Sequence, residues 1–552
     1  MSKTDREAPF RKNEVLHFTV DDLGTHGEGI GHPEGYTVFV EGALPGEEIE
    51  AQLIKTTSGY GVGKLLRILV PSEDRVEPDC PLAGRCGGCQ LQHLSYTGQL
   101  RYKSAKIRDC LNRIGHFSLE EPVEILGDEE GRFHYRNKAQ FPVQELDGRP
   151  EAGLYAARSH RLLPCYRCGL QKDEANRLLE KIIRFAPSAG LSAYDENTRK
   201  GLLRHVLIRT SANGENSVTL VLNSRRLPNA EAWVRRMKEL SVTSFAVNFN
   251  TEDSNVILGR ETKILFGSET ITDHIGELAF QISPASFFQV NGRQTEVLYG
   301  KALEFAALTG RETVIDAYCG IGTISLFLAR RAAFVYGIEI VHAAVENARQ
   351  NAILNACGNT EFRLGPSEEL IPRRVREEGV RPDVCVVDPP RAGCEKELLD
   401  ALCESGCGRL VYVSCDPATL ARDLDYLFHE KRAFSLEKVC GVDMFPNTIH
   451  VETVCLLSKL NAKQHIEINL DMDELDLTDA EKKAAYQEIK DYVRYISGLK
   501  VSSLYIEQVK QRCGIIEREN YNKPKSEDAK QPQCPPDKEK AIKEALQHFG
   551  MN

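Results

Sequence analysis

A chain of 552 residues is too long for one hydrophobic core and implies roughly three to four domains. With 41% apolar residues, no apolar run of membrane-spanning length and a charged amino terminus, MSKTDREAPFRKNEV, without an apolar h-region, the sequence reads as a cytoplasmic globular protein, neither membrane-spanning nor secreted. Its 17 cysteines are then thiols, ligands or a nucleophile, and the net charge of -10 weighs against a nucleic-acid partner without excluding one, because binding depends on local basic clusters.

From Glu14 to Val70 apolar and polar residues alternate between glycine-rich turns, which predicts short strands and a small β-barrel. Such barrels often bind nucleic acid, but a purely structural module has the same pattern. Next come Cys80, Cys86 and Cys89, spaced C-x5-C-x2-C with glycines between them, a metal-ligand pattern. Cys165 and Cys168 are the nearest candidates for a fourth thiolate, and the spacing leaves zinc and an iron–sulfur cluster both open. Arg101, Lys103, Lys106 and Arg108 form a basic cluster that fits a nucleic-acid contact or a solvated helix face.

From Phe133 to Asp273 the pattern is mixed, with HYRNKAQFPV, GLLRHVLIRTS and SVTLVLNS as strands and Arg136, Lys138, Arg204 and Arg209 in or beside them. SPASFFQVN then leads into a helix over Gln294 to Leu308. Thr313 to Asp316 is a buried strand, followed by the glycine turn AYCGIGT opening a helix, and a second strand, Phe334 to Ile338, ends in Glu339. An acid in that place can take a ribose hydroxyl pair. The turn is G-x-G-x-x-S and lacks the third glycine of dinucleotide folds, which favours S-adenosylmethionine (SAM) over a nicotinamide cofactor. A strand over Asp383 to Val387 ends in DPPRAG, and one over Leu410 to Val413 ends in SCDPATLARD, placing the Cys415 thiol where open α/β sheets put their chemistry. VDMFPNTIHVETVCLLSKL reads as a terminal hairpin carrying His450 and Glu452.

SPASFFQVN, DAYCGIGT, DPPRAG, SCDPATLARD and DMFPNTIHVE, in that order, resemble the SAM-dependent RNA (uracil-5-)-methyltransferases, specifically the 23S ribosomal RNA branch with an iron–sulfur cluster. The resemblance runs from the first barrel to about Leu460. It implies an α/β chain: an OB-like TRAM β-barrel that binds RNA over 10–72, a central α+β iron–sulfur domain over 73–280 and a Rossmann-like methyltransferase domain over 281–460. It implies that Cys80, Cys86, Cys89 and Cys168 hold a 4Fe–4S cluster, and that Gln289, Tyr318, Glu339 and Asp388 hold SAM with Thr323 at a further polar contact. It makes Cys415 the nucleophile that adds to uracil C6, Glu452 the base that removes the C5 proton, and Phe287 a stacking platform for a flipped-out base.

Residues 465–552 lie outside the resemblance and read as a small helical extension. Thr478 to Glu481 is a capping box, Ala485, Ile489, Tyr492, Val493 and Ile496 give one apolar helical face, Val501 to Cys513 a second helix in a helix-turn-helix outline, and a last helix closes the chain. The competing readings are a transfer-RNA uracil-5-methyltransferase, an amino-methyltransferase, disfavoured because Arg391 and not an aromatic follows D-P-P, and a non-catalytic RNA-binding assembly factor that retains SAM.

Overall fold

The computed structural model describes residues 8–460 and, further on, 489–490, 492–494, 497, 499–512 and 534–548. They fall into two compact units, Met1–Ala462 and Lys463–Asn552.

The first unit opens with β1 (Val15–Thr19), β2 (Asp22–Leu23), β3 (Gly29–Gly31), β4 (Thr37–Val40), β5 (Glu48–Thr56) and β6 (Tyr60–Val70), one six-stranded sheet in the order β1-β5-β6-β4-β3-β2. Period-two alternation buries Val38, Val40, Ile49, Ala51 and Leu53 on its inner face. Helix α1 (Tyr96–Arg113) follows, started by Ser95, whose side chain accepts from the Gly98 amide, and then the short strand β7 (Ile125–Leu126).

The basic cluster on α1 is divided: Arg101 is exposed and Arg108 partly so, whereas Lys103 and Lys106 are engaged inside the fold. Lys103 is fully buried, paired with the equally buried Asp443, and its ammonium also donates to the Phe445 carbonyl at 3.1 Å. Lys106 donates to the Thr25 and Ile449 carbonyls, and Arg101 pairs with Asp74. Lys103 and Lys106 thus join the barrel, α1 and a distant loop.

The middle sheet contains β8 (Lys138–Leu146), β9 (Arg149–Tyr155), β10 (Leu162–Pro164), β11 (Leu203–Thr210), β12 (Asn216–Leu222), β13 (Ser244–Phe249) and β14 (Glu261–Phe266), in the order β10-β9-β8-β11-β12-β13-β14. Helices α2 (Asp173–Phe185) and α3 (Ala230–Glu239) bury Leu178, Leu179, Ile182, Trp233 and Met237 against it. Two of the basic residues in these strands are internal: Arg204 lies over the Tyr194 ring and donates to the Asn250 and Glu252 carbonyls, and Arg209 is buried with its guanidinium on the Ser286 carbonyl.

A hairpin of β15 (Ile271–Ile275) and β16 (Leu278–Ile282) and helix α4 (Gly292–Ala306) lead into the last sheet. Its strands are β17 (Thr313–Asp316), β18 (Phe334–Glu339), β19 (Thr360–Leu364), β20 (Val384–Val387), β21 (Arg409–Ser414), β22 (Phe434–Val442) and β23 (Glu452–Lys459), interleaved with α5 (Thr323–Ala329), α6 (His342–Leu354), α7 (Ser367–Arg376), α8 (Lys396–Ser405) and α9 (Pro417–Asp425). The order is β19-β18-β17-β20-β21-β23-β22-β7; β17 to β21 are parallel, β23 is antiparallel to both its neighbours, and β7 adds at the edge. All four residues of β20 are buried, because helices cover both faces of the sheet.

The expected hairpin exists but is placed differently. Its strands are β22 and β23, whereas Asp443 to Val451 is the loop between them. Pro446 has no amide to give to a ladder and Asn447 sits at φ 68°, so this stretch leaves the sheet.

In the second unit, helices Ser503–Arg512 and Pro536–His548 share a core of Ile489, Val493, Ile506, Val509, Ile542, Ala545 and Leu546. The expected capping box at Thr478 to Glu481 lies outside the described residues. Among the described residues no helix is long and apolar enough to cross a membrane.

The Lys103–Asp443 pair carries a stability prediction. Lys103→Met leaves a buried carboxylate held only by the Tyr96 hydroxyl at 2.9 Å, and chemical denaturation should show a loss of about 3–5 kcal/mol. An unchanged midpoint would mean that the pair does not bear on the fold.

Candidate active site

Strands β18, β17, β20 and β21 lie side by side and end at one edge of the sheet, carrying Glu339, the glycine turn, Asp388 and Cys415 respectively. Strand β23 runs the other way, so its first residue, Glu452, belongs to that same edge. Ser414 pairs with Thr453, which sets Cys415 and Glu452 next to one another where the β21–β23 ladder ends. Phe287 and Gln289 come from the loop ahead of α4. Phe287 is 73% exposed beside the buried Phe288 and Gln289, so one aromatic ring faces solvent while its neighbour anchors the loop.

In the glycine turn, Gly320 (φ 54°) and Gly322 (φ 87°) take left-handed conformations, and a Cβ on Gly320 would meet nothing within 4 Å. The space above the turn is open to a ligand. The Glu339 carboxylate accepts from the Gly320 amide at 3.1 Å and the Val341 amide at 2.8 Å, which orients it before anything binds. Asp316 at the end of β17 is fully buried and accepts from Ser325 Oγ at 2.5 Å. Thr323 shares a 3.0 Å hydrogen bond with the Tyr299 hydroxyl, so its oxygen is already engaged within the fold. Tyr318 follows Asp316 by two residues and is half-buried.

Several residues that hold the site carry no sequence signal of their own. Asp423, at the end of SCDPATLARD, is buried and accepts from the Cys394 amide at 2.8 Å and the Tyr412 hydroxyl at 2.6 Å, while Arg422 donates to the Ala392 carbonyl. The loop after Asp388 is thereby tied to the helix after Cys415. Asn137, from the middle domain, donates to the Gln289 carbonyl at 2.9 Å. Asp416 caps α9 by accepting from the Ala418 and Thr419 amides, which fixes the residue next to Cys415.

The electrostatics are those of a dry, acid-rich pocket. Burial, reinforced by Asp316, pushes the Asp388 carboxyl up to about 7. Burial and then Asp388 push Glu452 up to about 8, with Arg391 opposing. Burial pushes the Cys415 thiol up to about 11, with Glu452 and Asp388 adding to it and Arg391 again opposing. No described group hydrogen-bonds the Glu452 or Asp388 carboxyl. A cationic ligand satisfies this charge set; an anionic one does not.

A second cluster lies beside the middle sheet. Cys80, Cys86, Cys89, Cys165 and Cys168 line one cavity of about 250 Å³ together with Arg136 and Lys138. Burial pushes the Cys89 thiol up to about 12, while a hydrogen bond shared with Cys165 lowers Cys168. Among the described residues no group of three or more histidine, cysteine or acidic side chains is arranged to hold a metal ion as it stands. The donor set is nonetheless all sulfur, and Arg136 leaves a buried Nε without a partner beside it, a charge pattern that fits an anionic thiolate centre.

The open parallel sheet, the glycine turn with its ribose-type acid and the acid-lined strand ends define a SAM-dependent methyltransferase fold. The family model described as tRNA (uracil-5-)-methyltransferase matches residues 95–460, and the TRAM domain matches residues 9–66. An uncharacterized RNA methyltransferase of Clostridium tetani is 46% identical over 462 residues, 83% of this chain and 99% of its own length. One of Halalkalibacterium halodurans is 46% identical over 464 residues, 84% of this chain and 100% of its own. The crystal structure of Pyrococcus abyssi tRNA (uracil-54, C5)-methyltransferase in complex with S-adenosyl-L-homocysteine is similar with a TM-score of 0.64 at 27% identity, covering 80% of this chain and 100% of that one. The chain belongs to the tRNA (uracil-5-)-methyltransferase family, and it is an RNA methyltransferase.

A cationic ligand beside Asp388 would stabilise its ionised form, so SAM affinity should rise as pH climbs through about 7, by as much as about tenfold per unit, with Glu452 extending a shallower rise toward 8. S-adenosylhomocysteine, whose sulfur is uncharged, should bind with a flatter profile, and Asp388→Asn should weaken the dependence for SAM. Calorimetric titration of both ligands between pH 6 and 8 checks this; equal profiles would argue against a charge-selective pocket.

Proposed function

We propose that this protein transfers a methyl group from SAM to C5 of a uridine in RNA through a covalent adduct between Cys415 and uracil C6. The observation that carries the reading is the pairing of a strand-end thiol and a buried carboxyl across the β21–β23 register, at the edge where the glycine turn and Glu339 lie. Gln289, Tyr318, Glu339 and Asp388 would hold SAM, with Thr323 bracing the turn through Tyr299.

When bound, SAM supplies an electrophilic methyl on a sulfonium. Uracil C5 is a poor nucleophile until Cys415 Sγ adds to C6, which places an enolate on the ring. The thiol must be ionised for this step, and Arg391 is the cation that favours the thiolate. Once C5 carries the methyl group, Glu452 takes the C5 proton and the Sγ–C6 bond breaks, returning the thiolate. A stacked uracil cannot admit the thiol at its face and the methyl donor at C5 together, so the base is flipped out, and the exposed Phe287 ring is its platform.

Cys80, Cys86, Cys89 and Cys168 would hold a 4Fe–4S cluster, with Arg136 and Lys138 offsetting its charge. The cysteine set supports 23S ribosomal RNA as the substrate. The similarity to a tRNA (uracil-54, C5)-methyltransferase supports transfer RNA as the second reading. The division of the chain at 72, 280 and 460, with RNA contact by the TRAM domain, goes with either.

Cys415→Ala should abolish 5-methyluridine formation in RNA, read by nucleoside mass spectrometry; retained methylation would overturn the mechanism. Glu452→Gln should accumulate a protein–RNA adduct on a denaturing gel. Because the base must be ionised, resolution of that adduct in the unmodified enzyme should speed up as pH rises through about 8. Anaerobically purified protein should carry about four irons with matching sulfide, and stoichiometric zinc would contradict the cluster.

A further inference from the structure

The loop between β22 and β23 has no ladder partner, and five of its carbonyls accept from outside it. The Met444 carbonyl accepts from Asn291 Nδ2 at 3.2 Å, Phe445 from Lys103 at 3.1 Å, Pro446 from the Tyr135 hydroxyl at 3.3 Å, Asn447 from the Leu91 amide at 3.0 Å and Ile449 from Lys106 at 3.0 Å. These donors come from four segments: the loop ahead of α4, helix α1, the stretch before β8 and the cysteine loop.

Within this loop Asn447 is the densest point. It is 3% exposed, and all four of its polar groups are used. Its amide donates to Gln99 Oε1 at 2.8 Å, its carbonyl accepts from the amide of Leu91, its Nδ2 donates to the Arg132 carbonyl at 3.0 Å, and its Oδ1 accepts from Gln99 Nε2 at 3.4 Å. Leu91 stands two residues after Cys89, so one of these bonds reaches directly to the cysteine loop. The left-handed φ of 68° suits asparagine better than most residues.

Glu452 begins its strand five residues later, with no described hydrogen bond to its own carboxyl. Its place is therefore set by the backbone on either side: the sheet from Thr453 onward, and this loop before it. Cys415 has further supports that the loop does not touch: β21 also pairs with β20 on its other side, and Asp416 caps α9.

We propose that Asn447 is a positioning residue for the base: it ties the strand start that carries Glu452 to helix α1 and the cysteine loop, so that losing its side chain displaces the base and spares the nucleophile. The proposal rests on the reading of Glu452 as the base that resolves the adduct.

The test uses the full-length protein with Asn447→Gly, which keeps the left-handed backbone available, and Asn447→Asp, which keeps the Oδ1 acceptor and loses the Nδ2 donor. Expected for Asn447→Gly is SAM affinity and adduct formation within about twofold of the parent, adduct resolution slowed at least about tenfold, and protein–RNA adduct on a denaturing gel; Asn447→Asp should fall between. Amide exchange over 446–452 should quicken in Asn447→Gly and over the Cys415 segment should not. Parent-like resolution, or formation and resolution slowed alike, would overturn the proposal. Glu452→Gln is run beside it: adduct in Glu452→Gln but none in Asn447→Gly refutes Asn447 alone, whereas adduct in neither refutes the base assignment together with it.

Discussion

Desolvated negative charge at one sheet edge governs this structure. Asp316 is pushed up to about 6, Asp388 to about 7 and Glu452 to about 8, each mainly by burial, and the Cys415 thiol is held protonated beside them. Arg391 opposes this at Glu452 and Cys415, and hydrogen bonds from Ser325 and the Tyr318 amide oppose it at Asp316. Such a pocket is costly to maintain in a protein that binds nothing there, and it is complementary to a cation that arrives with its substrate. The same feature sets the chemistry: a carboxyl with its pKa near 8 can hold or release a proton at working pH, which an ordinary glutamate in water cannot do usefully.

That arrangement follows from the topology. Four parallel strands bring Glu339, the glycine turn, Asp388 and Cys415 to one edge, and the antiparallel β23 adds Glu452, which a parallel strand in that place would have put at the far end. The loop on which β23 depends is then anchored by several separate segments of the first unit. Helix α1 gives Lys103 and Gln99, the stretch before β8 Tyr135, and the cysteine loop the Leu91 amide. The position of Glu452 is thus a property of how those segments pack together, and not of the methyltransferase sheet alone.

What was readable in the sequence and what was not divide along physical lines. Buried parallel strands read as apolar runs, so β17, β18, β20 and β21 were visible with the residues that end them. Long-range pairing has no such periodicity. Lys103 meets a carboxylate 340 positions away, and nothing local separates it from a solvated lysine. Arg204 and Arg209 were hidden in the same way, as cations that serve backbone carbonyls inside the fold. The DMFPNTIHV stretch looked like strand because it is apolar and follows one, yet its carbonyls go to side chains from elsewhere. Asp423 and Asn447 are small polar residues inside motifs whose more reactive members drew attention first.

The most direct test of the account is a trapping experiment with RNA containing 5-fluorouridine. Fluorine cannot leave C5 as a proton does, so a mechanism that adds Cys415 to C6 and then needs a base at C5 must stop at the methylated adduct. Incubation with SAM followed by nuclease and protease digestion and mass spectrometry should give one conjugated peptide, with the methylated fluorouracil on Cys415. A conjugate on another cysteine, or 5-methyluridine made from ordinary RNA with no conjugate formed from the fluorinated one, would contradict it.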